Sequence, residues 1–327
     1  MSNMRLFFTK IIYFLNIFFT FFGLKVLTKK ELNLHLNLKK NAVFELTKLY
    51  KGDRDKGLTC VIFSKNRAMQ LYALLESHQI FLKNTVPIIV IYTVTTVDHL
   101  ESYVEVKKLI NLTSLSVQFI EEKNGFRHTL LSVLQKIKTK SMFFMTDDQV
   151  FTDFLDLTPI FDINSSSHIF SLRLNPNIQY SYAQNRKYTP PHFNNSTCGN
   201  FLEFDWFEAQ GGWSYPWSVD AHIFCTAEIY SLSLVSKYNN PNSYEGALTF
   251  FNHLLEGKKG LCLKRGFTLN IPINLVQEEV PNRAGSVSSE YLLSQWNEGL
   301  KISMDSFKGI ESKSTHSEVD LVFIRRY

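Results

Sequence analysis

Hydrophobic and polar positions fall into alternating blocks along this chain, and the blocks change period in a regular way. The run LTCVIFS beginning at Leu58 is short, apolar and β-rich, as a buried strand requires, and NRAMQLYALLESHQIFL after it repeats apolar residues at helical spacing. The same succession returns at 86–94, where VPIIVIYTV is rich in β-branched residues and is followed by a helical stretch through Val104 and Ile110. A third strand is predicted at 116–120. FRHTLLSVLQKIKT then places Leu130, Leu131, Leu134 and Ile137 on one helical face, ahead of a fourth strand at 141–146. Strands and helices alternating at this length predict an α/β fold whose mostly parallel sheet is covered by helices on both faces.

The fourth strand ends abruptly. In FFMTDDQVF, residues 143–151, an apolar run stops at the adjacent carboxylates Asp147 and Asp148 before hydrophobicity resumes at Val150. Ligands of open α/β sheets bind outside the carboxyl ends of the strands, and two hard oxygen donors there suit Mg²⁺ or Mn²⁺ carrying a diphosphate. The plainer alternative is an acid pair that closes a loop. Beyond Asp148 the alternation yields to an aromatic-rich half. This divides a domain at 58–327 into two halves, 58–150 and 151–327. Near the carboxyl end SSEYLLSQWNEGLKI reads as a helix with Ser288 as its N-cap and Gly299 as its stop.

The amino-terminal region has a different pattern. Residues 6–27 are dominated by Phe, Ile and Leu and are long enough to cross a bilayer, but Lys10 interrupts them. Thr9, Tyr13, Asn16, Thr20 and Gly23 lie along one helical stripe, which suits either a spanning helix with a weakly polar packing face or a helix lying in the headgroup region. The expectation is a membrane-associated hydrophobic helix over 1–27. The connecting segment 28–57 places Leu32, Leu34, Leu36 and Leu38 at a spacing that fits helix and strand alike, so its type stays open.

Composition narrows the class. The chain has 327 residues, 45% of them hydrophobic and 20% charged, enough for one large core or two smaller lobes and unlike a disordered or fibrous protein. A net charge of +5 with no basic stripe gives no reason to expect nucleic acid as a partner. Cys60, Cys198, Cys225 and Cys262 lie far apart without a C-x-x-C pair and read as buried thiols. No dinucleotide-binding glycine fingerprint follows the first strand, and no phosphate-binding P-loop occurs.

SKNRAMQLYALLES after the first strand, TDDQ after a later one, and an acid-bearing segment behind a Gly-Gly-Trp loop together resemble a GT-A-type nucleotide-sugar glycosyltransferase of the family 2 kind. The resemblance covers roughly 58–305 with short motifs. It implies a Rossmann-type sheet whose first strand ends at a donor-binding turn, here Ser64, Asn66 and Arg67. It implies further that Thr146-Asp147-Asp148 stands for the metal-binding Asp-x-Asp, with Asp148 the direct ligand of Mn²⁺ or Mg²⁺ and Asp147 on the donor. A divalent ion would neutralise the leaving diphosphate. An inverting transfer also needs an acid beside the acceptor hydroxyl as general base. Asp220 and Glu245 are the candidates, and the family's acid at a helix start favours Glu245. A Glu in the first helical turn that merely complements the dipole is the alternative reading.

Other residues have a bland and a sharper reading. The aromatic cluster from Phe201 to Trp217 is mostly core, with Trp213, beside Gly211 and Gly212, the ring expected to touch an acceptor. His222 reads as structural, with a metal or phosphate contact as the sharper option. In INLVQEEVPNRAG the polar residues Asn274, Gln277, Asn282 and Arg283 could close the donor site, and any third protein ligand of the metal would be Asn274. The expected partners are a nucleotide-sugar donor, a glycan or lipid-linked acceptor and a membrane surface. The expected setting is the cytoplasmic face of the cell membrane, with a Golgi type II enzyme as the compartment rival. Two other functions compete: a sugar-nucleotide nucleotidyltransferase, and an inactive membrane-associated binding protein on the same fold.

Overall fold

The structure, a computed structural model, describes residues 2–20, 25–182, 185–274, 285 and 287–326. From the amino terminus the elements are α1 (Ser2–Thr20), α2 (Lys29–Lys51), β1 (Asp55–Lys65), α3 (Ala68–Phe81), β2 (Ile88–Thr93), α4 (Val97–Ile110), β3 (Val117–Glu121), α5 (Phe126–Lys136), β4 (Thr139–Thr146), β5 (Gln149–Phe151) and β6 (His168–Ser171). The second half adds β7 (Tyr180–Ser181), β8 (Arg186–Lys187), β9 (Asn194–Asn195), β10 (Leu202–Phe204), β11 (His222–Cys225), α6 (Thr226–Val235), α7 (Pro241–Thr249), β12 (Lys259–Cys262), β13 (Thr268–Asn270) and α8 (Ser289–Asn297).

Nine strands form one sheet in the order β3-β2-β1-β4-β11-β6-β12-β10-β9. The first four are parallel, as the strand-helix alternation predicts. The second half is mixed: β11 runs antiparallel to both β4 and β6, whereas β12 is parallel to β6. Successive residues of β4 show why the strand is apolar throughout. Phe143 packs into a core with Leu71, Leu74 and Val106, and Phe144 packs into a second core with Leu130, Leu134 and Ile229 on the other face. Neighbouring strand residues point to opposite faces, so a sheet with two covered faces wants no polar position until it ends.

The segment left open at 28–57 is mostly helix. Thr28 caps α2 with its hydroxyl on the Glu31 N–H, and the Glu31 carboxylate accepts the Thr28 N–H in return. This helix docks on the body of the fold: Val43 is buried, and Tyr50 meets Tyr230 of α6 edge to face. At the other end of the chain Ser288 caps α8 by accepting the Tyr291 N–H, and Gly299 follows with φ +81°, as expected.

Two expectations are corrected. Among the described residues no helix is long and apolar enough to cross a membrane, so a spanning α1 is not borne out. Lys10 and the polar stripe dilute it, and Asn16 turns back on the chain, donating to the Val26 carbonyl and accepting the Val26 N–H. Residues 21–24, Gly23 included, lie outside the described residues. Cys60, Cys225 and Cys262 are buried thiols, but Cys198 is exposed.

Candidate active site

The site begins where β1 ends. Asn66 takes a left-handed φ of +55°, a conformation its short polar side chain tolerates better than most. Its amide is locked to Thr95, with Nδ2 donating to the Thr95 hydroxyl at 2.7 Å and Oδ1 accepting the Thr95 N–H at 3.0 Å. Asn66 thus sets the turn that carries Arg67, and its amide is engaged with Thr95 rather than directed at the cleft lining.

Arg67 is only 8% exposed, and most of its donors are spent inside the protein. Nη1 lies 2.9 Å from Asp147 Oδ1 and 3.5 Å from Asp148 Oδ2, Nε donates to Asn274 Oδ1 at 2.8 Å, and Nη2 donates to the Asn274 carbonyl. It is thus a clamp between the first strand, the acid pair and the loop after β13, not the solvated helix-start residue of the bland reading. Asn274 is correspondingly committed, since its Nδ2 donates to the Val287 carbonyl, and it is not free to ligate a metal. Gln277, Asn282 and Arg283 lie outside the described residues.

The two adjacent acids have different work. Asp147 is buried and accepts from the Ser64 hydroxyl at 2.8 Å, the Lys65 N–H at 3.2 Å and Arg67. Burial pushes its carboxyl pKa up, and Arg67 opposes the shift. Ser64 is shared further with the Tyr103 hydroxyl. Asp148 is the more open of the pair, with one oxygen accepting from the Thr146 hydroxyl at 2.7 Å, and it faces the cleft.

That cleft, about 980 Å³, runs from the carboxyl ends of β1 and β4 to a second polar group. Asp220 precedes β11, and Ala221 beside it has φ +58°, held by hydrogen bonds from its N–H to the Phe144 carbonyl and from the Leu172 N–H to its own. This kink at the edge of the ladder directs Asp220 into the cleft, where Thr146 Oγ1 lies 3.1 Å from Oδ1. Glu245 comes from the second turn of α7, which starts at Pro241 and is capped by Asn240. Its Oε1 accepts the Ser218 hydroxyl and the Val219 N–H, each at 2.8 Å. The dipole-complementing alternative does not hold, because the first turn of α7 carries no acid and Glu245 points into the cleft. Burial, then the neighbouring Asp220 charge, push the Glu245 carboxyl up to about 7 against the Ser218, Val219 and Arg173 donors.

Two residues of this cleft, Arg173 and His316, escape sequence reasoning, and a third, Tyr215, is legible only as a member of the aromatic cluster. Arg173, two positions beyond β6, donates to Asp220 Oδ2 at 2.6 Å and to Ser218 Oγ at 3.2 Å. A charge directly past an apolar strand was the signal that singled out Asp147, and the same signal exists here in HIFSLR. Tyr215 sits beside Glu245, and burial followed by that carboxylate raises its hydroxyl pKa. His316 reaches the cleft from the carboxyl-terminal segment; burial lowers its pKa while Asp220 and Asp148 oppose this. Its tail has no periodicity that would mark it.

Two aromatic expectations resolve as core. Trp213 is 0% exposed, donates Nε1–H to the Ile178 carbonyl at 3.0 Å and stacks edge to face on Phe204, so it cannot touch an acceptor. Gly211, Gly212 and Tyr215 on either side of it line the cleft instead. His222 is fully buried, with Nδ1 on the Pro216 carbonyl, and burial pulls its pKa to about 3, so it stays neutral and structural. Among the described residues no three His, Cys, Asp or Glu side chains converge as a metal cage.

The fold and site define a class: an α/β chain with a polar cleft at the carboxyl ends of its parallel strands and acids on both walls. No family model matches the chain. Over 219 residues, 59% of its length, it is 27% identical to the bifunctional glycosyltransferase pgtA of Dictyostelium discoideum, and it spans 28% of that relative's length. S. aureus TarS is similar in structure with a TM-score of 0.41 at 14% identity, over 64% of this chain and 36% of that one. The bifunctional WbbM structure gives 0.36 at 14% identity, over 60% and 37%.

Proposed function

We propose that this chain is a glycosyltransferase that moves a sugar from a nucleotide-sugar donor to a glycan or lipid-linked acceptor, in surface polysaccharide or glycoconjugate synthesis. The observation that carries the reading is the pairing, in one cleft, of the available Asp148 carboxylate at the strand ends with the half-buried Glu245 on the opposite wall. The similarity to a relative named as a glycosyltransferase supports it.

Asp148 is the residue that would hold Mg²⁺ or Mn²⁺. One carboxylate with open oxygens fits such an ion, which takes few protein ligands when substrate phosphates and water complete its shell. When bound, the ion would supply charge neutralisation to the departing diphosphate. The chain's own residues do the remainder. Arg67 keeps the strand-end acids and the loop at Asn274 in register, and Lys65 lines the same wall. Glu245, once ionised, takes the proton of the attacking acceptor hydroxyl. Asn rather than Gly at the left-handed turn position after β1 disfavours the nucleotidyltransferase rival, which would want a glycine-rich loop there.

The chain would work at the cytoplasmic face of a membrane, with α1 lying on the lipid surface. Tyr13, Phe14, Ile17 and Phe18 are exposed on that helix, and Lys10, Lys25, Lys29 and Lys30 lie close by in sequence. The deciding experiment is calorimetry with uridine, guanosine and cytidine diphosphate sugars, with and without Mn²⁺, on the wild type and Asp148→Ala. Metal-dependent binding of one donor, lost in the variant, is expected. No binding of any donor by folded wild-type protein would leave the inactive-fold reading standing.

A further inference from the structure

We propose that Arg173 is a positioning residue that gives the two acids on the acceptor wall unequal roles, engaging Asp220 in an ion pair and aiming Glu245, through Ser218, as the group that receives the proton. The inference rests on the transferase reading above.

Arg173 is 5% exposed, and its backbone is fixed at the end of β6, where Ser171 Oγ accepts the N–H groups of Arg173 at 3.2 Å and Leu174 at 2.8 Å. One arm of its guanidinium, Nη1, pairs with Asp220 Oδ2 at 2.6 Å, while the Thr146 hydroxyl lies against Oδ1. Asp220 is thus the ion-pair partner of Arg173, while the one Thr146 hydrogen is shared between it and the closer Asp148. The other arm, Nη2, donates to Ser218 Oγ at 3.2 Å, and the Asp220 N–H donates to that same oxygen at 3.2 Å. A hydroxyl has two lone pairs and one hydrogen. With both lone pairs taken, the Ser218 hydrogen is directed at Glu245 Oε1, 2.8 Å away, beside the Val219 N–H.

Glu245 Oε1 thus accepts two hydrogen bonds and has little basicity left. The proton from an acceptor goes to the other oxygen, Oε2. In the transfer, the acceptor O–H bond breaks as its oxygen bonds to the sugar carbon, the sugar–diphosphate bond breaks with its electron pair leaving on phosphate, and the proton ends on Oε2. Among the described residues the charged and titratable groups around Glu245 are Asp220, Arg173 and Tyr215, the last hydrogen-bonded to its carboxyl. Without Arg173, two carboxylates face each other with no cation between them, and the ionised form of Glu245 becomes harder to reach.

The test uses full-length wild type, Arg173→Met, Arg173→Lys and Ser218→Ala. Infrared titration of the protonated-carboxyl band, assigned by its loss in Glu245→Gln, reads the midpoint of Glu245 without any substrate. Arg173→Met and Ser218→Ala should move the midpoint to higher pH, and Arg173→Lys should leave it near the wild-type value. With the donor found by calorimetry, Arg173→Met should lower kcat at pH 7 by about tenfold or more with donor KM unchanged. An unmoved midpoint in folded Arg173→Met, or in Ser218→Ala should the former not fold, overturns the proposal. If wild type turns over no donor while the midpoint still moves, the transferase reading fails and the electrostatic role of Arg173 survives. A kcat loss in Arg173→Lys equal to that in Arg173→Met would also count against it, since the charge would then be irrelevant.

Discussion

The two walls of the cleft are built on opposite principles. On the wall formed by β1 and β4, the charged groups are locked to each other: Arg67 spends its donors on Asp147, Asp148 and Asn274, and Asp147 spends its oxygens on Ser64, Lys65 and Arg67. Asp148 retains capacity, and the Lys65 side chain lines the same wall. On the wall formed by the β11 and α7 segments, the acids outnumber the cation, and Glu245 is left with a pKa of about 7. A donor with a diphosphate gains from a rigid, pre-paired surface, because little ordering remains to be done on binding. A proton acceptor must instead change charge during each turnover, which a saturated pair cannot do. On the proposed function, the first wall would hold and the second would react.

The sharpest way to break this contrast is to remove the reactive acid. Glu245→Gln should lower the transfer rate by ~10²–10⁴-fold while donor binding survives, since general base catalysis is lost and the opposite wall is untouched. The wild-type rate should follow the same carboxyl: below the Glu245 midpoint at about 7 the base is protonated, so kcat/KM should fall as pH drops and level off above it. A pH-independent rate through this range would place the base elsewhere.

The locked wall should respond in stability first. Arg67→Met leaves Asp147 buried beside Asp148 without its cation, and urea unfolding should show a loss of ~3–5 kcal/mol, the usual cost of breaking a buried pair from one side. A much smaller loss would mean that the wall is less rigid than its hydrogen bonds imply. The finest distinction concerns Asn66. Asn66→Ala should cost ~1–2 kcal/mol for its left-handed backbone, and Asn66→Gly should cost less, with donor affinity moving little in either. A large loss of affinity in both would restore a direct donor contact for this side chain.

The same contrast explains what was legible in the sequence. The first wall was legible because its residues sit where contiguous apolar runs end: Ser64 closes LTCVIFS with Arg67 just beyond, and the acid pair follows SMFFMT. What remained hidden was which partners they choose. The Arg67–Asn274 bond joins residues 207 positions apart, and no local pattern encodes it. The second wall combines Arg173, Ser218, Glu245 and His316 from four separate segments, so only the acids, which have a recognisable chemistry, stood out. Trp213 misled for a related reason: the two glycines beside it do mark a loop at the cleft, but the large ring serves as that loop's anchor. The helical period at 28–57 was obscured because four leucines at alternate positions satisfy both periods, and only the Thr28–Glu31 box decides between them.

The docking of α2 on α6 also changes what counts as the smallest heritable piece of this molecule. A shuffled, permuted or minimised version that begins at the first strand would discard Val43 and Tyr50, and would uncover the flank of α6, the helix that leads on from β11. The portable module therefore begins at Thr28. Recombination that respects that seam carries both walls intact.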